Sequence, residues 1–293
     1  MNKYMITCSS TVDLSNDFLN KRNIPYVSFH YELNGTYLTD DLGLTVSSKD
    51  FYQKMREGVT TKTAQVNAEE YVNFFTPFLK QGYDILHVEL SSGLSGSLNS
   101  ATIAVDMLKE DFPDRKILLV DSLSASAGYG LLVDKLSSLK AEGLSIDELK
   151  TWAENNKRKV NHWFYSTDLS YYVKGGRISS TAGFVGSILS LCPVLNVDNL
   201  GKLTPQHKVI GKKRAINKVV DQMIELAQDK SDYNGKCFIS HADCMEDAMA
   251  VAAKIEKAFP KLNGKVEIFD VGTTIGSHTG PGTLALFFFG DHR

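Results

Sequence analysis

Along the first half of the chain, short apolar runs alternate with longer stretches whose apolar positions recur at helical spacing. Residues 4–8, 83–90 and 116–121 read as strands. Residues 98–108 and 131–139 carry apolar side chains three and four apart and read as crossover helices. Pro113 stops the first of them ahead of the run Ile117, Leu118, Leu119, Val120. Strand and helix in alternation predict a parallel sheet covered by helices. After Asn155 the texture changes. Residues 162–166 read as a strand, 174–180 as a glycine-rich turn, 184–195 as a further apolar stretch, and Asn199 with Gly201 as a hairpin signal. Helices are predicted over 214–228, with Ile216, Val219, Val220, Met223 and Ile224 along one side, and over 243–259. Strands at 237–240, 266–269 and 284–289 surround the second. The pattern predicts two α/β domains, residues 1–160 and 161–293, with a cleft between them where ligand sites concentrate.

Composition narrows the class. The 293 residues, with 43% hydrophobic positions, 22 Gly and 7 Pro, suffice for one large or two ordinary cores, which excludes a disordered or collagen-like chain. The 32 basic and 34 acidic residues leave a net charge of −2, with no dense basic block, so no nucleic-acid partner is expected. The N-terminal segment turns polar after a short apolar run and lacks the apolar region of roughly 7 to 15 residues of a secretory signal, so the chain is expected to be cytoplasmic. The stretch 184–195 is broken by Gly186, Ser187, Ser190 and Pro193, and falls short of the roughly 20 residues that span a bilayer. No integral membrane segment is expected. Cys8, Cys192, Cys237 and Cys244 have neither C-x-x-C nor metal-ligand spacing, and the phosphate-loop, dinucleotide and H-E-x-x-H patterns are absent. Neither a metal nor a cofactor is expected.

Four segments carry candidate chemistry. The sharpest is Leu90-Ser91-Ser92-Gly93-Leu94-Ser95-Gly96-Ser97, which follows a strand and opens a helix. Free N–H groups at a helix start, with hydroxyls from Ser92, Ser95 or Ser97, can hold a carboxylate or phosphate without any cation. A serine there also serves as a plain helix cap. The threonines of Thr60-Thr61-Lys62-Thr63-Ala64-Gln65 are equally ligand donors or turn and cap residues. His278, within Gly276-Ser277-His278-Thr279-Gly280-Pro281-Gly282, reads as part of a shaped loop before a very apolar strand. Lys174-Gly175-Gly176-Arg177 places two cations on a glycine turn, as a solvated basic turn also would. Gly93 to Ser97 nearly spells the G-x-S-x-G elbow of α/β-hydrolases, and His278 comes late in the chain as their order requires. However, Ser97 stands where the second glycine belongs, and nothing selects the acid among Asp168, Asp198 and Asp243.

Taken in order, Ser9-Ser10-Thr11-Val12-Asp13-Leu14, Thr63-Ala64-Gln65, the serine loop, Asp121-Ser122, the segment from Lys174 to Ser179, Gly211-Lys212-Lys213 and the segment from His278 to Gly282 span nearly the whole chain. This set resembles the DegV family of bacterial fatty-acid-binding proteins. The resemblance implies two α/β domains with a long-chain fatty acid between them and no catalysis by the chain itself. It assigns the carboxylate to Thr63 and Ser95, with His278 as a third member and Ser92 and Gly96 as secondary ones. Some members of that family present the acid to a fatty acid kinase, which makes an acyl phosphate for phospholipid synthesis. Lys174 and Arg177, with Lys212 and Lys213, are then candidates by charge for partner or phosphate contacts.

The physics agrees. A carboxylate buried in an apolar cleft must accept several hydrogen bonds. Burying about a dozen methylenes at roughly 0.8 kcal/mol each gives on the order of 10 kcal/mol gross, so the head group orients more than it holds. Phe184, Val185, Ile188, Leu189 and Leu191, with Gly183 and Gly186 between, read as a tunnel wall or as an ordinary buried helix. Two departures from the family pattern stand out: Ser9 where an aspartate is usual, and Ile210 where an arginine is common. A hydrolase of small esters using Ser95 and His278, and a regulatory module with a vestigial ligand, are the other readings.

Overall fold

The computed structural model describes residues 3–179 and 191–293. The chain runs β1 (Tyr4–Ser9), α1 (Asn16–Lys21), β2 (Tyr26–Val27), β3 (His30–Leu33), β4 (Thr36–Thr39), α2 (Ser48–Arg56), β5 (Thr61–Ala64), α3 (Ala68–Lys80), β6 (Asp84–Glu89), α4 (Ser97–Leu108), β7 (Ile117–Asp121), α5 (Ala127–Ala141) and α6 (Ile146–Asn156). It continues through β8 (Val160–Tyr165), α7 (Ser170–Lys174), β9 (Val194–Val197), β10 (Leu203–His207), α8 (Lys212–Leu226), β11 (Phe238–His241), α9 (Met245–Ala258), β12 (Glu267–Asp270), α10 (Thr273–Thr279) and β13 (Leu284–Phe289).

The predicted alternation gives a parallel sheet of order β2-β1-β6-β7. Helices cover both faces, so β6 is buried at every position, the pattern expected of an inner parallel strand. The sheet's winding reverses between β1 and β6: β2 lies beyond β1 on one side and β7 beyond β6 on the other. Loops at the carboxyl ends of strands flanking such a reversal form a natural crevice. A mixed sheet of order β10-β9-β8-β13-β11-β12 is built wholly from strands after residue 159, and it includes the hairpin predicted around Asn199 and Gly201. Helix α5 packs against strands of both sheets.

Two sequence expectations are corrected. Residues 61–64 are a strand rather than a turn, the edge of an antiparallel sheet of order β4-β3-β5. Strands β4 and β5 are largely polar and solvent-facing, so they lack the hydrophobic periodicity that reveals a strand. His278 lies on α10 rather than in a loop. That helix is short and rich in Thr, Ser and Gly, and it persists because its hydroxyls find partners: Ser277 Oγ donates to the Thr273 carbonyl at 2.8 Å, and Thr274 Oγ1 donates to Asp40 Oδ2 at 2.5 Å. Of the residues proposed as a tunnel wall, Phe184, Val185, Ile188 and Leu189, with Gly183 and Gly186, lie outside the described residues. Leu191 forms an antiparallel bridge with Ile210.

Candidate functional site

A cavity of about 780 Å³ opens where β5, the serine loop, α7 and α10 meet. Its apolar wall includes Phe164, Val197, Leu203 and Phe287 from the mixed sheet, with Phe29 and Leu90 from the loops that follow β2 and β6. Thr63, Ser95, His278, Lys174 and Arg177 also line it. The fold thus brings together five residues from four separate stretches of sequence.

The four serines of the β6–α4 loop have different tasks. Ser91 Oγ donates to the Gly201 carbonyl at 2.8 Å and ties the loop to the β9–β10 hairpin. Ser92 is exposed, donates through Oγ to Asp121 Oδ2 at 2.5 Å, and is not among the residues lining the cavity. Ser97 donates to Glu89. Ser95 alone of the four lines the cavity, and its Oγ accepts from the Ser97 N–H at 3.2 Å. With that lone pair occupied, the hydroxyl hydrogen of Ser95 is available to a ligand. Gly96 also lies off the lining: a Cβ there would come within 2.8 Å of Gln65 Oε1, so this glycine lets Gln65 reach Ser100 Oγ at 3.1 Å and hold β5 to the start of α4.

Thr63 sits on the half-buried side of β5, alternating with exposed Lys62 and Ala64. Its Oγ1 lies 2.7 Å from His278 Nε2. The other ring nitrogen, Nδ1, faces Arg177 Nη1 at 3.4 Å. An arginine can only donate, so Nδ1 is the unprotonated nitrogen and Nε2 carries the hydrogen. Nε2–H therefore donates to Thr63, and the threonine hydroxyl, like that of Ser95, is left to donate outward. Burial first, and the neighbouring Arg177 charge second, push the His278 pKa down to about 4, so the ring is neutral near pH 7. Gly175 makes this packing possible: any Cβ there would overlap His278 Nδ1.

Arg177 is held by the Gly175 carbonyl at 2.5 Å and by the Leu94 carbonyl at 3.0 Å, so the basic turn grips the serine loop directly. Burial lowers its pKa from the usual arginine range. Lys174 is exposed at the same opening. Deeper in the wall, His162 is kept neutral by burial, with Arg293 adding to the effect, and its Nδ1 donates to the Val160 carbonyl at 3.1 Å.

Sequence reading missed the residues beneath the loop. Glu89, at the end of β6, is fully buried, and among the described residues no Lys or Arg forms an ion pair with it. Its Oε1 accepts from Ser9 Oγ (2.9 Å), Leu90 N (2.8 Å) and Ser97 Oγ (3.1 Å), and its Oε2 from Tyr71 OH (2.5 Å) and His87 Nε2 (2.9 Å). Burial pushes this carboxyl up, but the hydrogen bond and charge of His87, with the hydroxyls of Tyr71 and Ser9, outweigh it and hold it below the usual range. The signal was present in the sequence: two titratable residues at period two, His87 and Glu89, in a strand expected to be buried on both faces.

The hydrolase arrangement is not formed. A catalytic histidine needs a carboxylate on the nitrogen remote from its nucleophile. Here that nitrogen meets the Arg177 guanidinium, which opposes the imidazolium a hydrolase must generate, and the other nitrogen is engaged by Thr63. Lys212, a candidate for a phosphate contact, is paired with Asp247 at 2.9 Å. Among the described residues no group of three or more His, Cys, Asp or Glu is placed to hold a metal ion, and no helix is long and apolar enough to cross a membrane.

Comparison with known proteins follows the same lines. The family described as uncharacterised protein, DegV family, matches residues 3–291. A DegV domain-containing protein from Clostridium perfringens is 38% identical over 293 residues, covering 100% of this chain and 99% of its own. The crystal structure of a DegV lipid-binding protein from Thermotoga maritima superposes with a TM-score of 0.86 at 26% identity, covering 99% of each chain. The Streptococcus pneumoniae fatty acid kinase B3 protein, crystallised with linoleic acid, superposes with a TM-score of 0.84 at 23% identity, covering 99% of this chain and 100% of that one.

Proposed function

This chain belongs to the DegV family, and from that premise we propose that it binds a long-chain fatty acid between its two α/β domains, with the carboxylate at Thr63 and Ser95. One observation carries the reading. At the opening of an apolar cavity stand two hydroxyls, each accepting an N–H at its oxygen and so left with its own hydrogen to give: Thr63 backed by His278, Ser95 backed by the Ser97 amide. Two charge-assisted hydrogen bonds satisfy an ionised carboxylate without burying a cation against it. The acyl chain supplies most of the affinity through the apolar wall.

The domain division at residue 160 belongs to the same reading, since strands from both sides of it line the cavity. The chain acts as a carrier and performs no chemistry on its ligand. Its Thermotoga maritima neighbour is described as lipid-binding, and its Streptococcus pneumoniae neighbour as a fatty acid kinase component loaded with linoleic acid, which supports presentation of the bound acid to a kinase. Lys174 and Arg177 line the cavity, and in this reading they contact the phosphoryl group delivered there. Titration of the delipidated protein with oleate tests the binding: saturable binding at one site per chain is expected, and absence of binding overturns the reading.

A further inference from the structure

Resting on the fatty-acid reading, we infer that Glu89, which does not line the cavity, is the positioning residue of the carboxylate site, and that it fixes Ser95 by clamping both ends of the loop that carries it. Oε1 of Glu89 accepts from Leu90 N, where the loop leaves β6, and from Ser97 Oγ, where the loop enters α4. One oxygen atom thus closes the segment 90–97 into a ring. Within that ring the Ser97 amide donates to Ser95 Oγ, so the residue Glu89 holds by its side chain sets the Ser95 hydroxyl by its backbone.

A buried carboxylate is a costly way to join strands, because an apolar side chain of similar size fills the same space without desolvation. What it supplies instead is geometry, since its acceptor positions fix several donors at once. The five donors around Glu89 come from the end of β1, from α3, from β6 and from both ends of the loop. The clamp is therefore built into the centre of the sheet, at its reversal point.

Ser9 belongs to this device. Strands β1 and β6 are paired in register up to Thr7 and His87, which brings Ser9 beside Glu89 two residues further on. An aspartate at position 9 would set a second carboxylate against the first. The hydroxyl donates to it instead. The departure at position 9 and the carboxylate at position 89 form a matched pair, in which the buried charge is supplied by β6.

The test is oleate affinity of delipidated protein by calorimetry, beside the melting temperature, for Glu89→Gln, Ser97→Ala, Ser97→Thr and Ser9→Asp. Glu89→Gln and Ser97→Ala are expected to weaken oleate binding on the order of tenfold, as for one lost hydrogen bond to a charged group. Ser97→Thr keeps the hydroxyl and restores the affinity; Ser9→Asp weakens binding, and Ser9→Asp combined with Glu89→Gln recovers part of it. Ser97→Ala removes only one of the five donors to Glu89 and leaves the carboxylate in place, so it carries the test if Glu89→Gln does not fold. Unchanged oleate affinity in Ser97→Ala, with or without a lower melting temperature, overturns the positioning role while leaving fatty-acid binding intact. Absence of oleate binding by the unaltered protein overturns both.

Discussion

Thr63 and His278 stand 215 residues apart in the chain and 2.7 Å apart in the fold, the histidine Nε2–H donating to the threonine oxygen. This contact joins the edge of the small sheet to the last turn of α10, and it turns an ordinary β-strand threonine into a directed donor. The hydroxyl cannot give its hydrogen back to the ring, so it points it at the cavity.

Removing either outward donor is therefore expected to weaken fatty-acid binding. Thr63→Ala and Ser95→Ala each lose one hydrogen bond to a carboxylate, about 1.5–3 kcal/mol or roughly 10- to 150-fold in Kd. Thr63→Ser, which keeps the hydroxyl, stays within a few-fold of the unaltered protein. Calorimetric titration with oleate checks all three, and equal affinities across the series would remove Thr63 and Ser95 from the site.

The protonation of His278 has a signed consequence for stability. Its folded pKa of about 4 lies below the ordinary histidine value near 6.5, so the fold favours the neutral ring. The stability this contributes is complete above about pH 6.5 and is lost as the pH falls toward 4. In melting curves from pH 4 to 8, the unaltered protein should lose stability on acidification faster than His278→Gln, with the gap opening below about 6.5. His162 shifts in the same direction in both proteins and cancels in the difference. A difference that does not change across the range contradicts the neutral, buried His278.

Esterase assays should be silent. With Arg177 rather than a carboxylate on His278 Nδ1, Ser95 has no competent base, and turnover of p-nitrophenyl esters should match a Ser95→Ala control. Turnover that disappears in Ser95→Ala would restore the hydrolase reading.

Position 210 tests the kinase encounter. Ile210 is 57% exposed at the segment leading into α8, and the family resemblance of the sequence implies an arginine at this position. With a purified fatty acid kinase and ATP, whose γ-phosphoryl group moves to the carboxylate oxygen as ADP leaves, Ile210→Arg is expected to raise acyl-phosphate formation several-fold, as rim charges typically do for association. No gain would show that the arginine is not what this chain lacks.

The parts of the fold that sequence revealed are those in which burial follows a period. Strands β1, β6 and β7, and helices α4, α5, α8 and α9, carry continuous or amphipathic apolar runs, and their existence was legible from them. Strand β5 was not, because Thr61, Lys62, Thr63 and Ala64 bury little and pair only with β3 at a sheet edge. Helix α10 was hidden by Gly276 and by the Gly280-Pro281-Gly282 stop that follows it; its seven residues hold together through tertiary partners such as Asp40 rather than through propensity. The residues proposed for the head group were singled out through motifs, whereas the Glu89 network, scattered over β1, α3, β6 and α4, becomes visible only when the strands are side by side.

Fatty-acid binding at Thr63 and Ser95 is tested most directly by mass spectrometry of an organic extract of the purified protein, beside an extract of the Thr63→Ala, Ser95→Ala double variant. A stoichiometric long-chain fatty acid in the unaltered protein and its loss from the variant are expected. An unaltered protein that carries no lipid, or a double variant that retains the same amount, would contradict it.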